Sequence, residues 1–353
     1  VSDFGDYFRL QGEYCAKLGS PLYAVLFRHA GADIDAGGPV AEVLDGYPHK
    51  PIASAMALRL TGCVHRLVLT GAEPALARHF PSAGGDGDAE AAWREFRHVV
   101  VRRRDELRRA VALHGVQTNE VARTAALVCG FLVVARETGL DLRCLEVGTS
   151  GGLNLRWDRF RYEAAGASWG DPASPLVLRD CWLPGPLPFD ADARVVERAG
   201  CDPHPLDPTT EDGRLTLMSY TWPDQLERLS LLRAACDVAG RVPATVTRAN
   251  GADWIAERLA TPAREVATVV FHSIVMQYLD PPSRDRLRAA LEDAGARASR
   301  TAPLAWLRME PGGEQAEVRL TCWPGGEERL VATTSFHGRA VGFRPESARV
   351  RVD

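Results

Sequence analysis

Six residues that read as a short buried strand, Leu142-Arg143-Cys144-Leu145-Glu146-Val147, run straight into Gly148-Thr149-Ser150-Gly151-Gly152. Glycines after a strand let the backbone turn sharply and approach a ligand, and the helix start that follows offers unpaired N–H groups. Downstream, strand-like runs at 193–197, 244–247, 267–271 and 304–309 alternate with helical periodicity at 223–238, 252–259 and 282–294. That alternation predicts an α/β fold with a parallel sheet wrapped on both faces. Two further runs, 317–323 and 329–336, flank Pro324-Gly325-Gly326-Glu327 and predict an antiparallel C-terminal hairpin.

The region before the sheet reads differently. Residues 4–18, 21–30 and 51–69 carry apolar side chains at helical spacing, and 89–113 places Phe96, Val100, Leu107 and Val111 on one face. Within it, Arg102-Arg103-Arg104 reads as a solvated face. The stretch 119–137 is apolar nearly all round, as a buried helix would be. The division expected is a helical N-terminal region over 1–140 and a sheet domain over 141–353. A Pro- and Gly-rich insertion interrupts the second at about 162–189. A length of 353 residues suits two such parts.

Composition removes several classes of function. With 46% hydrophobic and 25% charged residues the chain can bury a full core. A net charge of −4 argues against a phosphate backbone as partner, although 40 of the 42 basic residues are Arg. The eight cysteines include no C-x-x-C pair and the histidines no paired spacing, so no metal site is indicated. The longest apolar run, 125–135, is too short to span a bilayer. A soluble cytoplasmic protein with a small-molecule partner, and neither nucleic acid nor membrane, is the expectation. Nothing specifies the oligomeric state.

The glycine turn has the spacing G-x-x-G-G, not the G-x-G-x-x-G of a dinucleotide site, and an acid, Glu146, lies inside the strand. That acid suits a ligand with a positive centre, such as the sulfonium and amino group of S-adenosylmethionine. Asp202 is the carboxylate candidate at the end of the second strand, where ribose hydroxyls would be held, or else a turn residue before Pro203. Asn250, Gly251 and Asp253 follow the third strand and either meet an adenine edge or open the next helix. His272 and Ser273 end the fourth strand, at the edge where α/β sheets bind ligands, and His272 there is a candidate general base. Gln117, Asn119, Glu120 and Arg123 precede an apolar helix and face either a ligand or one another. Trp222, in Trp222-Pro223-Asp224-Gln225, is a pocket edge or a Pro-initiated helix start. P-loop and zincin motifs are absent from the sequence.

Six motifs in order resemble a bacterial family, DUF2332. They are Gly19-Ser20-Pro21-Leu22-Tyr23, Gln117-Thr118-Asn119-Glu120-Val121, Glu146-Val147-Gly148 with Gly152-Leu153-Asn154-Leu155, Gly170-Asp171-Pro172, Trp222-Pro223-Asp224-Gln225, and Val269-Val270-Phe271-His272-Ser273. The family is similar to class I S-adenosylmethionine-dependent methyltransferases, which implies a Rossmann-like sheet behind a helical region. Where members tend to show Gly-Asp-Ala after the third strand, this chain has Ala249-Asn250-Gly251. The resemblance brings no substrate; with the site residues, the expectation is a methyltransferase acting on a small molecule. Glu146, Gly148, Thr149, Ser150, Gly152 and Asn154 would hold the methionine part of the cofactor, and Asp202 the ribose. Asn250, Gly251 and Asp253 would meet the adenine, beside His272 and Ser273. His272 or Glu120 would remove a proton, and Gln117, Asn119, Glu120, Arg123 and Trp222 would face the substrate. The alternatives are transfer of the aminocarboxypropyl group or cyclisation, and a non-catalytic ligand-binding protein on the same fold.

Overall fold

The computed structural model describes residues 3–47, 55–113 and 115–345. The chain divides into two compact units, Val1–Thr118 with Glu211–Ser230, and Asn119–Thr210 with Leu231–Asp353. The first unit is helical. Asp3–Lys17, Pro21–Asp35, Pro39–Leu44, Met56–Leu69, Ala89–Arg102 and Arg104–Leu113 share a core that includes Phe8, Phe27, Leu60, Phe96 and Leu107. The start of the expected helix over 51–69 lies outside the described residues.

Two of the sequence motifs turn out to be halves of one clamp inside this unit. Ser20 Oγ donates to Asp224 Oδ1 at 2.6 Å, and the Leu22 N–H to Asp224 Oδ2 at 3.0 Å, so a carboxylate 204 residues beyond Ser20 caps the Pro21–Asp35 helix. Gln225 Nε2 completes it by donating to the Leu18 and Gly19 carbonyls. Trp222 is buried in the same core against Tyr23. In the arginine run Arg102 and Arg104 are exposed, as expected of a solvated face, but both are also engaged in ion pairs. Arg102 and Arg103 both bind the carboxylate of Glu73, which is 3% exposed and would be costly to bury unpaired. Arg103 itself leaves helical geometry, dividing the long amphipathic stretch in two.

The second unit is α/β with a mostly parallel central sheet. Its strands are β1 (Leu142–Val147), β5 (Val195–Asp202), β6 (Thr245–Arg248), β7 (Ala267–Ser273), β8 (Leu304–Pro311), β9 (Ala316–Trp323), β10 (Glu327–Thr334) and β11 (Gly342–Phe343). Their order is β11-β10-β9-β8-β7-β1-β5-β6. Strands β6, β5, β1, β7 and β8 are parallel, and β9 to β11 continue antiparallel, as the hairpin signal implied. The insertion forms a small sheet of its own, β3-β2-β4, from β2 (Arg161–Ala164), β3 (Ala167–Gly170) and β4 (Val177–Arg179).

Strand alternation and register assign every side chain to a face. Leu145, Val147, Val270 and Trp306 share a core with Ala252, Trp254 and Ile255 of helix Gly251–Arg258 and with Leu287 and Leu291 of helix Pro281–Ala296. The opposite face carries Glu146, Phe271 and Leu307, which are register partners across β1, β7 and β8. Helix Thr124–Thr138 covers this face and is buried from Thr124 to Ala135. It comes so close that a Cβ at Gly130 would lie 2.3 Å from Leu307, which is why a glycine sits mid-helix there. That covering role explains why the unit begins at Asn119 and not near residue 140.

Candidate functional site

Strand β1 pairs with β5 on one side and β7 on the other, so the strand order reverses at it. Such a switch point leaves a crevice beyond the carboxyl ends of the strands, the usual place for a ligand in an open α/β sheet. The glycine turn leaves β1 at that place. Gly148, Ser150 and Gly152 have φ of +70°, +50° and +66°, so this segment needs its glycines for backbone reasons alone.

The turn's own N–H groups are largely occupied. Those of Gly148 and Thr149 donate to the Cys201 carbonyl at 2.9 and 3.1 Å, and that of Gly152 to the Thr149 carbonyl at 2.7 Å. The Ser150 N–H donates to Asp202 Oδ2 at 3.0 Å, and the Leu153 N–H to Asn119 Oδ1 at 3.0 Å. A phosphate-binding turn presents such groups to its anion; here protein acceptors take them.

What the turn gathers instead is acceptors. Glu146 is 2% exposed and accepts a hydrogen bond from Thr149 Oγ1. Burial pushes its carboxyl up to about 8, with the nearby Asp202 adding to the rise and Thr149, Arg156 and Arg123 opposing it. Asp202 lies two residues past Gly200, the register partner of Glu146, and so shares its face. Its other oxygen accepts the His204 N–H at 2.8 Å. Asp202 thus serves as ligand candidate and turn residue together. Asn154 is 2% exposed; Nδ2 donates to the Glu120 carbonyl at 3.5 Å, and Oδ1 is buried with no partner among the described residues.

Beside this group stand residues whose polarity internal bonding partly explains. Arg123 donates to the Ser273 and Phe336 carbonyls, both at 3.1 Å, tying the end of β7 to the turn 335–339. Glu120 Oε2 lies 3.1 Å from His337 Nδ1. His337 and Arg156, which donates to the Gly152 carbonyl at 2.6 Å, are neighbours of the site that sequence reasoning missed. Arg156 had a signal, a charge between the apolar Leu155 and Trp157; His337 had none.

Other expected members have different roles. His272 occupies the opposite face from Glu146, two residues past Val270 in the core with Trp306. It is wholly buried. Trp306 Nε1 donates to its Nε2 at 3.0 Å, which leaves the proton on Nδ1, 2.7 Å from Glu310 Oε1. Both nitrogens are committed, so the general-base role expected of His272 does not hold in this geometry. Asn250 is the N-cap of helix Gly251–Arg258, its Oδ1 accepting the Ala252 and Asp253 N–H groups. A Cβ at Gly251 would meet Val147 at 2.6 Å, so that glycine serves helix–strand packing. The Asp253 side chain is 73% exposed, 3.8 Å from Arg286. Helix capping accounts for Asn250 and packing for Gly251, while the Asp253 side chain faces outward beside Arg286. Gln117 and Trp222 belong to the helical unit, where Trp222 is a buried core residue.

A family described as an uncharacterized protein conserved in bacteria, DUF2332, matches residues 5–342. The chain belongs to DUF2332. No curated protein and no solved structure matches it. In this DUF2332 chain the six motifs divide by role. Two form the clamp of the helical unit; Gly170-Asp171-Pro172 is a turn in which Gly170, at φ +89°, would bring a Cβ within 2.0 Å of the Phe160 carbonyl. The Glu146 and Asn119 motifs meet at the glycine turn. No group of His, Cys, Asp and Glu among the described residues could hold a metal ion, and no helix among them is long and apolar enough to cross a membrane.

Proposed function

We propose that this DUF2332 protein is an S-adenosylmethionine-dependent methyltransferase acting on a small molecule, on a Rossmann-like sheet. The observation that carries the reading is the reversal of polarity at the glycine turn. Amide donors are consumed by the protein, while Glu146, Asp202 and Asn154 Oδ1 remain as acceptors on the side of helix Thr124–Thr138. A phosphate would meet carboxylates there. A phosphate-free nucleoside with an ammonium and a sulfonium meets groups of complementary charge. The buried, unpartnered Asn154 oxygen is the kind of atom a ligand donor satisfies.

In this reading Asp202 accepts from the ribose hydroxyls and Glu146 faces the positive charge of the methionine part. The cofactor supplies a methyl group already activated by its sulfonium. The chain's own contribution is then alignment of the acceptor and exclusion of water. Glu120, 7% exposed and adjacent to Asn154, receives a proton where the acceptor must lose one.

Glu146 makes the test specific. Near neutral pH its carboxyl holds its proton, and an ammonium ligand drives that proton off. Calorimetric titration with S-adenosylhomocysteine at pH 7, in buffers of different ionisation enthalpy, is expected to report release of about one proton. Glu146→Gln is expected to bind about tenfold more weakly and to release none. Binding of ATP or NAD with equal affinity, or no binding of S-adenosylhomocysteine, overturns the reading.

A further inference from the structure

We propose that Glu310 is a positioning residue for the glycine turn, acting through the backbone of Val275 and Met276 and held in place by His272 and Trp306. The inference rests on the functional reading above only in taking that turn as the ligand-binding edge.

The contacts form one continuous chain. Trp306 Nε1–H donates to His272 Nε2 at 3.0 Å, and His272 Nδ1–H donates to Glu310 Oε1 at 2.7 Å. The same oxygen accepts the N–H groups of Val275 at 2.9 Å and Met276 at 3.3 Å. Val275 in turn packs on the glycine turn, for a Cβ at Gly148 would lie 2.7 Å from its Cγ2. Between strand and turn stands Ile274 at φ +56°, its N–H donating to the Met309 carbonyl at 2.8 Å. A β-branched residue in the left-handed region persists only where its surroundings over-determine it. Here β8 supplies the restraint twice, through the Met309 carbonyl and the Glu310 carboxylate.

Stability alone does not account for this arrangement. Glu310 crowds three donors onto one oxygen and leaves Oε2 buried without a partner among the described residues, which costs free energy. A backbone held at that cost, against the turn that leaves β1, sets how close Val275 stands to Gly148. His272 thereby returns to the site indirectly, as the group that fixes the carboxylate and not as a base.

The experiment compares wild type, Glu310→Ala and Glu310→Gln in the full chain by amide hydrogen exchange and by calorimetry with S-adenosylhomocysteine. In Glu310→Ala the Val275 and Met276 amides are expected to exchange at least tenfold faster while the turn 335–339 is unchanged, and affinity falls at least tenfold. Glu310→Gln keeps an oxygen that accepts the same N–H groups and is expected to restore both readings to within threefold. Unchanged exchange at 275–276 in Glu310→Ala overturns the inference, and so does a Glu310→Gln variant as impaired as Glu310→Ala. Should Glu310→Ala fail to fold, Trp306→Phe removes the donor to His272 and keeps the carboxylate. It is expected to speed exchange at 275–276 about threefold, and no change there overturns the proposal. If the wild type binds no S-adenosylhomocysteine while Glu310→Ala still loosens the two amides, the functional reading fails and the positioning role stands.

Discussion

The two faces of the central sheet reach the same carboxyl edge with different outcomes. On the side of helix Thr124–Thr138, Glu146, Asp202 and Asn154 are buried. Asn154 Oδ1 has no partner among the described residues, while Glu146 accepts from Thr149 and Asp202 from Ser150 and His204, carboxylates with lone pairs to spare. On the side of helices Gly251–Arg258 and Pro281–Ala296, His272 spends both nitrogens on Trp306 and Glu310, and Asn250 spends its oxygen on capping. Position at a strand end is therefore not enough to make a polar residue functional. What matters is whether neighbouring elements have already used its hydrogen-bonding groups.

The pH dependence of stability tests the acceptor side most strongly. Native Glu146 keeps its proton to about pH 8, whereas the unfolded chain releases it near the ordinary value. Between those limits the folded state binds more protons. Its stability is therefore full below the unfolded value, declines as pH rises through the window, and levels off above about pH 8. The slope is on the order of 1 kcal/mol per pH unit. Glu146→Gln should remove that component from urea titrations between pH 5 and 8.5; an unaltered slope would show that the carboxylate is not held protonated.

On the other face, His272→Leu leaves the Trp306 N–H and a buried carboxylate without their partner. A loss of about 3 kcal/mol in urea unfolding is expected. A loss below about 1 kcal/mol would mean that the two faces do not differ as described. Asp224→Ala, in the helical unit, removes a cap on Pro21–Asp35 and should cost about 1–2 kcal/mol, measured in the same way. Asp253→Asn is expected to change stability by less than about 0.5 kcal/mol, since its pairing with Arg286 is long and exposed. A tenfold loss of S-adenosylhomocysteine affinity in that variant would assign the adenine role to Asp253.

Much of the fold is legible locally. Strand β1 occupies the six residues that read as strand, and the hairpin of β9 and β10 surrounds its Pro-Gly-Gly turn. Period-two and period-3.6 patterns are short-range properties, so they survive in the sequence. The clamp between Ser20 and Asp224 is not legible, because a cap supplied from some 200 residues away leaves no local pattern. The small sheet β3-β2-β4 escaped for a related reason, its strands being only three or four residues long in a stretch rich in turn formers.

At the candidate site, the chain's local chemistry determined that a glycine turn would leave a buried strand with an acid inside it, and that polar residues would end the strands. Only the tertiary structure decided which of them share a face. The register of β1 against β5 and β7 sets Glu146 beside Asp202 and apart from His272, and register depends on pairings between segments more than 50 residues apart. Which donors and acceptors remain unspent is settled later still, when Asn119, Glu310 and Trp306 arrive from distant parts of the chain to take them.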